Sequence, residues 1–273
     1  MQRILTLTFY FVKNIFRSLT GIGLVLASLV FWAIFFNPGQ KTPDAAYYML
    51  VIGCFGAGMA FFVTLACASR ANHAELYPWI IRLPSRVEYM TAVFCSSLII
   101  TAVLQLLVAI LALFNGPQLT AVHLLEIPPV WASLAILGAV LSLHATDLVV
   151  SGWSRVYIFG LLAIVLFAQS IHNTTMRSMV VSLNRVASSQ GWTSVNEALA
   201  DYAIYLNDGD NVNIISRFFG LIFWPFKAIV DGIVSGSFTP AQALAPAILL
   251  LYATILFMLA ADFFASKDLT FTE

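Results

Sequence analysis

The chain has 273 residues, of which 60% are hydrophobic and 10% charged. Soluble domains carry about 25% charged residues, so a mean hydropathy of +0.91 excludes a water-soluble globule and points to an integral membrane protein. Thirteen basic and thirteen acidic residues cancel to zero net charge, which leaves no electrostatic footprint for a nucleic acid.

In chain order, the first element is carried by RILTLTFYFVKNIFRSLTG, which sets Lys13 and Arg17 four residues apart on one helical face and leaves Leu5, Phe9, Val12, Ile15 and Phe16 largely on the others. That pattern predicts a helix over 1–18 lying on the membrane surface. No A-x-A-like site follows the apolar run, so this segment is expected to be retained rather than cleaved. A membrane span needs about 20 predominantly apolar residues. Six spans are predicted, at 19–36, 46–67, 92–114, 129–150, 156–172 and 243–265. In span two, GCFGAGMA supplies Gly53, Gly56, Ala57 and Gly58, a small-residue face suited to close helix packing.

Between the fifth and last spans, the segment 173–242 is expected to lie outside. SVNE, Ser194 to Glu197, has capping-box spacing and opens a helical run to about Tyr205. NDGDN, 207–211, is a turn cluster. The apolar run 214–234 is interrupted by Arg217, Pro225, Lys227 and Asp231. Charges at mid-bilayer cost a few kcal/mol each, so the run is predicted to form two short interfacial or re-entrant helices, the second starting at Pro225, rather than a seventh span.

The basic residues choose the orientation. Arg3, Lys13, Arg17, Arg70, Arg82, Arg86, Arg155 and Lys267 fall on one side, and the short loops 37–45 and 115–128 opposite hold only Lys41. Both termini and the loop 69–91 are therefore expected to be cytoplasmic.

That loop, with ELYPWIIRLPSRVEYMTAV at its heart, is unusually structured. Asn72 is a possible helix start with Glu75 at its third position, and Leu76, Trp79 and Ile80 follow as an apolar stripe. Pro84 ends the helix, because the residue before a proline is driven out of the α region. Ser85 and Glu88 then form an S-x-x-E box that restarts a helix running into span three. By spacing alone, the loop is either a surface-lying connector anchored by Arg82 and Arg86 to anionic headgroups or the docking element for a partner.

The layout resembles the membrane subunit of an ABC transporter of the ABC-2 (type V exporter) family. The match lies in Glu75, the run Leu76 to Leu83, Pro84, Ser85, Arg86 and Glu88 leading into span three, and in Asp268 and Leu269 of the tail. The outer segment, at about 70 residues, is longer than the family's usual re-entrant pair, and Arg82 takes the charged position before the Leu-Pro step. The resemblance implies an all-α membrane domain of six spans and a permease, an exporter subunit of a bacterial plasma membrane. It further implies assembly with a second permease copy, as homo- or heterodimer, and with a cytoplasmic ATPase. The chain has no G-x-x-x-x-G-K-[ST], so ATP hydrolysis would belong to that separate subunit, and no catalytic residue or cofactor is expected. By the same resemblance, Leu76, Trp79, Ile80 and Leu83 would be the apolar anchors for the ATPase and Glu75, Arg82 and Arg86 the polar rim. The rival class is a non-transport accessory or scaffold subunit of a larger membrane complex.

Other chemistry is weakly signalled. His144 and His172 are predicted at opposite ends of their spans, so they cannot share a haem; His123 and His172 both lie outside. Neither H-E-x-x-H nor G-x-S-x-G occurs. Asp147 is expected within span four, where an intramembrane carboxylate is a functional candidate, with a local salt bridge or hydrogen bond as its plainer role. Gln105 and Gln169 could hydrogen-bond across helices. Cys54, Cys67 and Cys95 show no C-x-x-C spacing and read as buried thiols.

Overall fold

A computed structural model describes residues 2–36, 39, 44–114, 116–149 and 214–266. All its regular elements are helical among these residues. They are α1 Gln2–Phe16, α2 Leu19–Phe35, α3 Ala45–Ala71, the short α4 Tyr77–Ile81, α5 Arg86–Leu113, α6 Ala121–His144, α7 Ile214–Ser235 and α8 Ala245–Ser266. The chain divides into two compact units, 1–155 with 225–273, and 156–224. Of the second unit, only the 214–224 part of α7 is described, so the expected span 156–172, Gln169, His172 and the SVNE run lie outside the described residues.

Among the described residues, four helices are long and apolar enough to cross a membrane: α3, α5, α6, and α8 with the 3-10 turn Gln242–Leu244 that leads into it. α1 and α2 pass the same test only together, and they meet at a bend of 72°. The chain is thus a multi-pass membrane protein, all-helical among the described residues. α2 alone has 17 residues, about 26 Å of helix, a little short of a hydrocarbon core of about 30 Å.

The bend has a local cause. Ser18 stands in extended conformation as the cap of α2, donating to Ile15 O at 2.7 Å and accepting from Gly21 N at 3.4 Å. At Gly21 any Cβ would collide with the backbone of Ile15 and Phe16. From the end of α3, Arg70 clasps both arms, donating to Asn14 O at 3.3 Å and to Thr20 Oγ1 at 3.0 Å. α1 carries three faces rather than two. Leu7, Thr8, Phe11 and Ile15 are buried where α1 packs on α5. Leu5, Phe9 and Phe16 are exposed apolar residues, and Arg3, Lys13 and Arg17 are exposed cations.

α3 is central, packing against both α5 and α6, with α8 closing on α6. Small residues set the spacing. A Cβ at Gly56 would overlap the Gln105 amide, and one at Gly138 would lie 2.6 Å from Ala57 O. The small face of α3 is therefore filled from within the chain at Gly53, Gly56 and Ala57, while Gly58 has open space beside it. Beyond this contact, Ala60, Ala135 and Ala139 pack with Phe94 and Leu98.

The structure corrects several sequence expectations. α6 begins at Ala121 rather than 129 and ends at His144, because the Thr120 N–H is held by His123 Nδ1 at 3.3 Å and the helix continues through Pro128 and Pro129. Neighbouring helices make such prolines tolerable in a membrane segment. Asp147 consequently lies in a turn beyond α6 and is exposed, not within a span. Asn72 caps the end of α3 instead of starting a helix; α4 starts later, with Pro78 in its first turn, where the ring's fixed φ suits a helix start. Residues 214–235 form one helix with Pro225 inside it, not two. Ala228, Ile229 and Ile233 are buried along it while Lys227 and Asp231 are exposed, and Gly236, at φ 75°, stops it. The cysteines are free, and Cys67 alone is buried, Cys54 being exposed.

The bend yields a test. Gly21→Ala should lower the thermal midpoint in detergent by the equivalent of about 1–3 kcal/mol, since the obstructing atoms are backbone and cannot rotate away. Gly23→Ala, with nothing within 4 Å, should leave it unchanged or raise it slightly, since alanine favours a helix interior over glycine.

Candidate functional site: the surface built by the first helix and the loop helix

The end of α3, the loop and the start of α5 form one surface with α1. α3 stops at the Asn72 cap, a 3-10 turn follows over Ala74–Leu76, and the five residues of α4 come next. Leu83 N returns to Ile80 O at 3.2 Å, closing the turn before Pro84. Ser85 is extended, and its hydroxyl accepts from Val87 N at 3.2 Å to start α5.

This arrangement separates the residues expected to act together. Ile80 is 2% exposed, so it anchors α4 to its own chain and cannot serve as an anchor for a partner. Trp79 points the other way at 42% exposure and rests on Tyr10 of α1, ring centroids 5.0 Å apart. Leu76 and Leu83 are half-buried; Glu75, Arg82, Pro84, Ser85 and Arg86 are exposed. Glu88, in the first turn of α5, is half-buried, with its Oε2 fully enclosed and lacking a hydrogen-bond partner.

Between α1 and α4 runs a groove of about 440 Å³ whose lining includes Arg3, Thr6, Leu7, Trp79, Arg82 and Leu83. Two arginines and a tryptophan thus line one concavity. Arg favours planar, bidentate recognition of carboxylate and phosphate, and an exposed tryptophan supplies apolar area beside it. The groove can receive an anionic, partly apolar surface.

Under the groove lies a continuous set of contacts that sequence reading missed. Tyr10 meets Phe11 at 5.7 Å, and Phe11 meets Tyr89 at 5.7 Å, both edge-on. Tyr89 is fully buried, and its hydroxyl donates to Ala71 O at 2.7 Å, satisfying one of the last carbonyls of α3, which have no partner within the helix. Thr8 adds a longer bond to Ala92 O at 3.5 Å. The available signal was aromatic: Tyr10 and Phe11 fall on different sides of α1, one toward α4 and one toward α5.

Of the intramembrane polar candidates, Gln105 is buried and its Nε2 donates to Ile52 O at 3.2 Å across the α3–α5 contact. Gln169 lies outside the described residues. His144 is buried and bonded through Nε2 to Leu256 O of α8 at 3.0 Å. Among the described residues, no three His, Cys, Asp or Glu side chains are grouped to hold a metal ion.

No family model, curated protein or solved structure matches the chain.

Tyr89→Phe isolates one link. It keeps the ring packing and leaves Ala71 O without its buried donor, so unfolding in detergent should ease by about 1–3 kcal/mol. An unchanged midpoint would mean that water replaces the hydroxyl.

Proposed function

We propose that this chain is the permease subunit of an ABC-2 type exporter, paired with a second permease copy and driven by a separate cytoplasmic ATPase. The observation that carries the reading is the α1–α4 surface: a short loop helix seated on a bent amino-terminal helix, presenting Trp79, Arg82 and Arg3 together. A passive connector needs neither a capped restart at Ser85 nor an exposed tryptophan braced from behind by Tyr10.

In this proposal the ATPase contacts Trp79, Leu76 and Leu83, with Arg82, Arg86 and Glu75 at the rim. Ile80 takes the internal half of the task, fixing α4 so that its movement is not lost in the loop. Displacement of α4 would pass through Trp79 to Tyr10, through Phe11 to Tyr89, and so to α5 and the end of α3. Both termini would be cytoplasmic, in a bacterial plasma membrane, because the basic residues of the short segments gather on that side.

Co-expression with the ATPase of the neighbouring reading frame tests this. Trp79→Asp and Arg82→Glu should each reduce the ATPase recovered per inserted permease, the first by about thirtyfold, as for a central aromatic anchor worth about 2 kcal/mol. Arg86→Ala should do less, since a rim charge is screened. Equal recovery with all three variants, or no ATPase recovered by the unaltered chain, would favour an accessory or scaffold subunit. A carboxy-terminal reporter active only outside would remove the cytoplasmic placement.

A further inference from the structure

A second concavity lies well away from the loop. α5 and α6 meet where Phe94 and Leu98 pack with Ala135 and Ala139. Beyond that contact they part, and a pocket of about 510 Å³ opens between them, bounded behind by Tyr48 of α3 and extending to Leu113 and Leu124. We infer that this crevice is a binding site for one acyl chain of a phospholipid, drawn from the leaflet that faces the Leu113 and Leu124 end. The inference does not rest on the proposed transport activity.

The wall excludes a polar ligand. Its three polar side chains are already committed to backbone carbonyls: Gln105 to Ile52 O at 3.2 Å, Trp131 Nε1 to Met49 O at 2.9 Å, and the Tyr48 hydroxyl to Ala109 O at 3.2 Å. The remaining lining is aliphatic, with Pro128. What faces the ligand is therefore dry hydrocarbon and two aromatic rings, 5.7 Å apart at their centroids.

Position and length choose the occupant. The crevice is formed by three of the helices suited to cross a membrane. Its rim residues Leu106, Ile110 and Leu124 are between 56% and 59% exposed, so the crevice is continuous with the surface that meets lipid tails. From Leu98 to Leu113 α5 advances about 22 Å, enough to accommodate the depth of one leaflet, about 15 Å. The end at Leu98 and Ala135 is closed by the helix contact. The shape is that of a slot for a chain entering from one membrane surface and stopping near the middle. Moving a chain there from bulk lipid gains no hydrophobic free energy, since both surroundings are apolar. The gain is contact on three sides, and an empty slot would forfeit those dispersion contacts.

The full chain should be reconstituted in vesicles of phosphatidylethanolamine and phosphatidylglycerol containing a phosphatidylglycerol with a diazirine near the end of one acyl chain. After irradiation, adducts are mapped by peptide mass spectrometry. Adducts should concentrate on Leu98, Ala102, Gln105 and Ala132 over Val103 and Leu107, which are exposed on α5 outside the crevice. Ala102→Trp and Ala132→Trp, made separately, fill the slot from either wall and should lower crevice adducts about tenfold, the equivalent of about 1.4 kcal/mol of lost binding. Val103→Trp should not lower them. Each variant is compared at matched thermal midpoint, so a misfolded one is replaced by the other. Equal labelling of crevice and outer face, or labelling that survives both fillings, would overturn the site and leave only surrounding lipid. An outer face labelled as usual with no lipid adduct in the crevice would overturn it in favour of a protein occupant.

Discussion

Hydrocarbon supplies no hydrogen bonds, so each polar side chain drawn into this bundle must find a partner in the protein, and α3 is where many of them find it. Gln105 bonds to Ile52 O, Trp131 to Met49 O, Ser142 to Phe61 O, and Thr64 to Ser97 Oγ at 2.8 Å. Three of these use carbonyls already engaged in the helix ladder, each of which retains a second lone pair. Long side chains can reach those carbonyls only if the helices approach closely, which is the work of Gly56 and Gly138. The glycines and the polar bonds are one device: removing either leaves a buried donor stranded or a helix held too far away. Trp32 Nε1 and Thr101 Oγ1 are the buried membrane-segment groups left without a partner among the described residues, and nothing else in the structure accounts for them.

The same economy governs the bend at Ser18. A helix pair that turns through 72° exposes the carbonyls of the first helix's last turn and the amides of the next helix's first. Ser18 serves both, as donor to Ile15 O and acceptor from Gly21 N. Arg70 takes the carbonyl of Asn14 as well. Fixing α1 in this way gives α4 a solid surface to sit on, so the exposure of Trp79 is a property of a braced side chain rather than of a loose loop.

Much of this architecture was legible in the residues. Long apolar runs, the amphipathic first helix and the Ser85 restart are local patterns, and α2, α3, α5 and α8 fall close to the predicted spans. The errors were local too. Pro225 read as a break and span four was started at Pro129, yet Pro128, Pro129 and Pro225 all sit inside helices, because tertiary packing and apolar surroundings outweigh one missing N–H. Asn72 has a side chain suited to either helix end, and only the reach of α3 decides which. The candidate site was half legible. Spacing placed Trp79 and Ile80 on one stripe, but a helix of five residues turns them to opposite environments. Tyr10, Arg3 and Tyr89 were missed because their roles depend on α1 folding back onto α5, a contact between residues about 80 positions apart with no mark in local sequence.

α5 ties the two concavities together. Tyr89 stands near one end of it, against the α1 surface, and Leu113 near the other, at the mouth of the crevice. Between them, at Phe94 and Leu98, α5 is packed with the alanines of α3 and α6, and Phe94 is further held by Phe257 of α8, centroids 4.8 Å apart. A rigid helix tilting about that contact would act as a lever. Its arms, measured from Leu98, are about 13 Å to Tyr89 and about 22 Å to Leu113. A tilt about this contact moves the two ends in opposite directions, the crevice end by the larger amount. Gln105 lies on the longer arm and is bonded to α3, so such a tilt has to stretch that bond or carry α3 along. The Tyr48 hydroxyl, donating to Ala109 O at 3.2 Å, ties the same arm to α3 a second time.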